Sequence, residues 1–122
     1  MAGKYTIHER EVPAVPLTGR DHKMIVGPGR FGDARHMCFG VADFPAESQA
    51  PGHAHAKEEE IIYVMTGHGR IFFDGVPEPV ERGTSVYVPP GVEHSIKNES
   101  SEVMRIIYVF SPPVEQGSYE KK

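Results

Sequence analysis

Residues that break regular structure recur at short intervals along this chain, and they restrict its fold more than any other feature. Turn signals fall at Gly27-Pro28-Gly29, Gly67-His68-Gly69, Asp74-Gly75, Arg82-Gly83 and Pro89-Pro90-Gly91. Between them lie segments rich in β-branched and aromatic residues, which predicts strands. The clearest are 35–44 (RHMCFGVADF), 60–66 (EIIYVMT), 70–74 (RIFFD), 84–88 (TSVYV), 94–97 (HSIK) and 103–110 (VMRIIYVF). Segments 5–11 and 22–26 are weaker candidates. No segment sustains the helical apolar period, so little helix is expected. The 13 glycines and 11 prolines among 122 residues point the same way. Many short strands with frequent turns predict an all-β sandwich or small barrel.

The length fits one domain with one core, 1–122, with no linker or low-complexity tract. The last residues, 115–122 (EQGSYEKK), read as a frayed tail. Segments such as IIYVM and RIIYVF are apolar on both faces. One face can line a barrel; the other calls for a second sheet or a partner subunit.

Composition excludes several functions. A net charge of −4 with acids and bases interspersed gives no basic footprint for nucleic acid. No apolar run approaches the roughly 18 residues of a membrane span. The polar start, MAGKYTIHEREV, lacks the apolar stretch of a secretory signal, and Cys38 is the sole cysteine. The expectation is a cytoplasmic protein without an intrachain disulfide, in which Cys38 is an inert core thiol.

Two stretches carry the chemistry. In 52–69 (GHAHAKEEEIIYVMTGHG), His53 and His55 are two apart. On a strand they point to one face and can reach one point in space. Glu60 has the wrong parity to continue the same strand, so a turn near Ala56-Lys57 is expected. Glu60 would then head a row continued by Ile62 and Val64, whereas Glu59 would share a face with Ile61, Tyr63 and Met65. Parity alone does not choose between these two acids. Glu58, nearest the turn, is expected to be exposed. In 83–98 (GTSVYVPPGVEHSIKN), Pro89 and Pro90 must end a ladder, and the turn through Gly91 holds His94 at the start of the next strand.

In both stretches the sequence resembles the cupin superfamily. The first cupin motif, HxH, then three or four residues, Glu, six residues and Gly, matches His53, His55, Glu60 and Gly67. The second, G-x5-P-x-G-x2-H-x3-N, matches Gly83, Pro89, Gly91, His94 and Asn98 without departure. One departure occurs in the lead-in to the first motif. The usual glycine would fall at Glu47, and Gly52 stands beside His53 instead. The matched region is 52–98, and the flanking strands extend the resemblance over nearly the whole chain. The resemblance selects Glu60 over Glu59. It implies a double-stranded β-helix, a jelly-roll β-barrel open at one end. It also implies one divalent transition metal per chain held by His53, His55, Glu60 and His94, with Asn98 structural.

Three imidazoles and a carboxylate suit Fe, Mn, Ni, Co or Zn without distinguishing them. Four protein ligands on an octahedral ion leave two positions for water, O₂ or a bidentate small-molecule substrate. A dioxygenase-like oxidoreductase is the favoured expectation. The alternatives are an isomerase, lyase or decarboxylase acting on a sugar or small organic acid, and a non-catalytic binding domain. Candidate residues around the metal are Arg35, His36, Gln49, Arg105 and Tyr108. Arg105 and Tyr108 lie on opposite faces of one strand, so only one can face the cavity; Arg105 is a candidate clamp for an anionic substrate. Tyr63 should point away from the metal. His68 reads as an exposed turn residue, and His8, His22 and His36 as solvent or packing residues. A homodimer is expected, with 1–11 forming an N-terminal strand or an arm swapped onto the partner.

Overall fold

The structure is a computed structural model that describes residues 2–115. Nine strands carry it: β1 (Val15–Leu17), β2 (Arg20–Val26), β3 (Cys38–Phe44), β4 (Glu59–Val64), β5 (His68–Phe73), β6 (Val76–Glu81), β7 (Ser85–Val88), β8 (His94–Asn98) and β9 (Met104–Ser111). The only helical element among the described residues is a single 3₁₀ turn, Glu9–Glu11. Six strands form one antiparallel sheet in the order β1-β2-β3-β9-β4-β7, and three form a second in the order β6-β5-β8. The two sheets pack as a jelly-roll sandwich. Met24, Ile62, Val64, Met104, Ile106 and Phe110 from the large sheet meet Ile71, Val80 and Ile96 from the small one in a single core.

Strict alternation sets which side chains enter that core. Along β4 the burial pattern alternates without a break: Glu60, Ile62 and Val64 are buried, while Glu59, Ile61 and Tyr63 are exposed. The same rule puts Met104, Ile106, Tyr108 and Phe110 inside and Arg105, Ile107 and Val109 outside on β9. Cys38 is fully buried, and burial raises its thiol above the usual range.

Three expectations need correction. Segment 5–11 is not a strand. β1 already occupies the free edge of β2, and Glu9 is held over the sheet face instead. The Glu9 carbonyl accepts from Lys23 Nζ at 3.0 Å, and its carboxylate accepts from Arg105. The strand expected from residue 35 starts only at Cys38, which leaves Arg35 and His36 in the preceding loop, both exposed. β6 was not expected because Pro77 and Pro79 interrupt its sequence. It is an edge strand, paired only with β5, and there a missing N–H costs nothing when it faces away from the neighbour. The Asp74-Gly75 turn joins β5 to β6 as expected. Both residues have positive φ, +49° and +83°, and Phe73 pairs directly with Val76. The expected tail lies, from residue 116 onward, outside the described residues.

Candidate metal centre

Segment 48–53 runs alongside β8. The Asn98 amide donates to the Ser48 carbonyl, and the Ala50 amide donates to the Ile96 carbonyl. At the end of this ladder His53 and His94 exchange both backbone hydrogen bonds, at 3.0 and 2.8 Å. Their side chains therefore leave the backbone as direct cross-strand neighbours, with ring centroids 4.3 Å apart. The Pro-Pro-Gly turn closes on the first motif, where the Gly91 amide donates to the His55 carbonyl at 2.7 Å. Glu60 opens the inward row of β4 between Val88 of β7 and Phe110 of β9. His55 packs edge-on against Phe110, with centroids 4.6 Å apart.

The four side chains converge. One donor atom from each of His53, His55, Glu60 and His94 lies within 4.8 Å of the others. Glu60 Oε1 is 3.0 Å from His94 Nε2 and 3.9 Å from His55 Nε2. Glu60, His55 and His94 are buried, at 6%, 7% and 2% exposure. Glu59 faces solvent and accepts a hydrogen bond from the Tyr87 hydroxyl at 2.5 Å. The parity question between the two acids is thus resolved in favour of Glu60.

The donor set fits a divalent metal. His53 Nδ1 lies 3.2 Å from the Pro51 carbonyl, and His94 Nδ1 lies 3.1 Å from the Val92 carbonyl. A proton on each Nδ1 donates to that carbonyl and leaves the Nε2 lone pair facing the cluster. Electrostatics point the same way. Burial, and then the neighbouring His94, push His53 down to about 3 and His55 down to about 4. Both imidazoles are therefore neutral, as a ligand must be. Burial lifts Glu60 above the usual carboxylate range, against the pull of His94. Burial also works against a charged His94, but the Glu60 hydrogen bond and charge outweigh it and raise His94. Without a cation, the carboxylate thus depends on one imidazolium. A dication would satisfy it and three neutral rings at once.

A small cavity of about 40 Å³ opens beside the cluster. Besides His53, Glu60 and His94, its lining includes Arg20, His22 and Tyr108, and otherwise apolar side chains such as Phe44, Ile62, Ile96 and Ile106. Of the pair on β9, Tyr108 faces the cavity. Arg105 does not: its Nε and Nη2 donate to Asp43 at 2.7 and 2.8 Å, and its Nη1 and Nη2 to Glu9 at 2.5 and 3.0 Å. It is locked into a surface network on the outer face, so it cannot clamp a substrate in the cavity. His36 is also outside; it is exposed, and its carbonyl accepts from Ser111 Oγ. Gln49 faces out because alternation turns its neighbour Ala50 into the core, and its Nε2 donates to Ser95 Oγ at 3.4 Å. Asn98 is fully buried and structural, with Nδ2 within 3.1 Å of the carbonyls of Phe44, Pro45 and Glu102.

Arg20 and His22 are cavity residues that the sequence reading missed. The signal lay in the alternation of Arg20, His22 and Met24 along RDHKMIV, which β2 turns inward. In the sequence, 22–26 is only a weak strand candidate that leaves out Arg20, and His22 reads as a solvent or packing residue.

The Cupin domain family matches residues 40–110, more than half of the chain. The chain belongs to the cupin family. Proteins similar to it differ in what they are named for. An uncharacterized protein of Methanocaldococcus jannaschii is 32% identical over 69 residues, which are 57% of this chain and 55% of that one. Dimethylsulfoniopropionate lyase DddW of Ruegeria pomeroyi is 31% identical over 77 residues, 63% of this chain and 49% of that one. This cupin therefore spans about half the length of these two relatives. A predicted oxalate decarboxylase of Thermotoga maritima, known from its crystal structure, superposes with a TM-score of 0.78 at 18% identity, covering 88% of this chain and 98% of that one. At that identity the match shows the shared fold alone. Among the described residues no helix is long and apolar enough to cross a membrane.

Proposed function

We propose that this cupin is a metal-dependent enzyme that binds and activates a small oxygen-rich organic molecule. His53, His55, Glu60 and His94 would hold one divalent transition metal. The observation that carries the reading is the convergence of four donor atoms within 4.8 Å beside a small cavity. When bound, such an ion supplies Lewis-acid polarisation of a substrate oxygen. The chain's own residues supply the rest. His22 and Tyr108 offer an imidazole and a phenol to hold or move a proton, and the apolar lining excludes bulk water.

These acid–base groups move the favoured reaction class from oxidation to isomerase, lyase or decarboxylase chemistry. The name of the Ruegeria relative, a lyase, is in keeping with that class. A dioxygenase-like reaction would use the same four ligands and would need O₂. Elemental analysis of the purified protein, followed by a screen of small hydroxy and keto acids under strict anoxia, tests the proposal. Anoxic turnover that disappears on chelation is expected. Turnover only in air would identify a dioxygenase. Ligand binding without any turnover would identify a binding domain.

The protein would act as a homodimer in a reducing, cytoplasmic compartment. Support for association comes from the outer face of β4 and β7, where Ile61 and Tyr87 are cross-strand partners at 54% and 55% exposure. Light scattering at micromolar concentration should give twice the monomer mass, and a monomer alone would end that part of the proposal.

A further inference from the structure

Cys38, Phe110 and Glu60 lie side by side across β3, β9 and β4, at the end of the large sheet that carries the ligand cluster. One residue past Phe110 the sheet stops. Ser111 closes β9, and Pro112 and Pro113 follow without an N–H to offer, so the ladder cannot continue. Residues 113–115 cross the end of the sandwich instead. On one side they line a groove with Met24, Pro28 and Arg30. On the other they line a groove of about 430 Å³ with Ala54, His55 and Ala56. The segment therefore runs as a strap between the end of β2 and the stretch that carries His53 and His55.

The cluster can be approached from two sides. His53, Glu60 and His94 line the inner cavity. His55 lines the groove beside the strap. The four ligands thus stand between the cavity and that groove, and the strap covers the His55 side.

The strap is lightly held. Val114 is half-buried and packs against the core. Its carbonyl accepts from Cys38 Sγ at 3.7 Å, and among the described residues this is the one hydrogen bond to 113–115. A thiol is a weak donor. The other neighbours of Cys38 are fixed more firmly. Phe110 is its ladder partner, and a Cβ on Gly27 would stand only 3.0 Å from the Cys38 Cβ. Cys38 is fully buried, so the strap is the loosest part of its cover.

We infer that residues 113–115 open locally, and that this strap is the gate by which a divalent metal ion reaches and leaves the four ligands on the His55 side. Lifting it gives up the packing of one half-buried valine and one weak hydrogen bond. Reaching the ligands through the sheets would mean breaking paired strands. An opening of the first kind costs far less than global unfolding. The inference rests on the reading of the cluster as a metal site, but the opening itself can be measured in metal-free protein.

The sole cysteine, Cys38, supplies that measurement. Its labelling by methyl methanethiosulfonate reports lifting of the strap. In the full metal-free chain the labelling rate should be nearly insensitive to low urea, because a small local opening exposes little surface. Val114→Gly should raise the rate about tenfold, the scale expected when a half-buried valine is removed from an opening equilibrium. Val114→Ala should raise it less. Urea unfolding of each variant shows whether it folds. Zinc-loaded protein is then mixed with a large excess of a chromogenic chelator. Val114→Gly should speed zinc release and zinc uptake by similar factors and leave zinc affinity nearly unchanged, since a gate alters both rates alike. Labelling of the unmodified protein that rises with urea as steeply as global unfolding overturns the inference, and that result needs no variant. Faster labelling of Val114→Gly with unchanged zinc release also overturns it, because the strap would then cover only the thiol. A chain that labels as expected but takes up no divalent metal would sink the metal-dependent reading, and the gate with it.

Discussion

The two walls of the cavity are encoded in different ways. The ligand wall comes from two short stretches, each carrying its own turn. His53 and His94 are cross-strand neighbours held by two backbone hydrogen bonds, and His55 and Glu60 lie within seven residues of His53. The opposite wall joins residues 20 and 22 of β2 to residue 108 of β9, far along the chain. They meet because the sheet order places β3 between β2 and β9 and because Gly40 has no side chain. A site written in local spacing survives in the sequence as a motif. A site written in sheet topology survives only as unremarkable letters on an alternating strand.

Breaking the ligand wall should have the largest and most selective effect. His94→Ala removes a ligand and strands the Glu60 carboxylate, which is 6% exposed. Metal affinity should fall more than about 100-fold, beyond what is lost when only a supporting hydrogen bond is removed. Glu60→Gln should weaken binding strongly as well. Glu59→Gln should leave it unchanged, because that acid faces Tyr87 and solvent. Competition with a chromogenic chelator measures all three. Equal losses for the two glutamates would show that the cluster is not the site.

Next in size is Gly40→Ala, which attacks the other wall. The new Cβ would meet the Tyr108 ring and the Lys23 carbonyl oxygen, the latter at 2.2 Å. Tyr108 can swing away, but the backbone of β2 cannot do so without breaking its pairing with β3. A loss of about 2–3 kcal/mol in urea unfolding is expected, at the upper end of overpacking costs. Metal stoichiometry should be retained. If metal were lost in step with stability, the two walls would have to be treated as one unit.

The pH dependence is shared by both walls, because His22, His53 and His55 are all shifted downward. Burial first, and then the Arg20 charge, push His22 from 6.5 down to about 4. The unfolded chain therefore binds a proton at His22 before the folded one does. The stability this contributes is complete above about pH 6.5 and is lost as pH falls toward 4. The full effect is on the order of 3 kcal/mol. His22→Gln should reduce the slope of the stability profile across that window in chelated protein, leaving the share carried by His53 and His55. A profile that is unchanged by the substitution would mean that His22 is charged in the folded state.

How much could be read in advance follows from the same contrast. The two motifs and their turns placed all four ligand candidates, and the alternation of β4 correctly sent Tyr63 outward. Parity also put Arg105 and Tyr108 on opposite faces of β9, but it could not say which face was inside. That depended on Met104, Ile106 and Phe110 filling the core beside Tyr108. β6 escaped notice because edge position, which makes its prolines tolerable, is a property of the sheet and not of the segment. His22 reads in the sequence as a solvent or packing residue, because an inward row of Arg, His and Met makes sense only when a polar cavity awaits it.

Arg105→Ala should have the smallest effect and sharpens the comparison from outside the cavity. Arg105 is the arginine that looked like a substrate clamp in the sequence, yet its guanidinium is divided between Asp43 and Glu9 on the outer face. Removal should cost about 1 kcal/mol, as for a partly exposed ion-pair network. It should leave metal uptake as it was. The loss should also depend on pH. The Arg105 hydrogen bond holds Glu9 below its ordinary 4.5. The Glu9 share of the network is therefore present above pH 4.5 and disappears as pH falls through the lowered value, so the difference between protein and variant should narrow there. If instead Arg105→Ala abolished metal uptake with little loss of stability, the inward and outward faces assigned to β9 would be wrong.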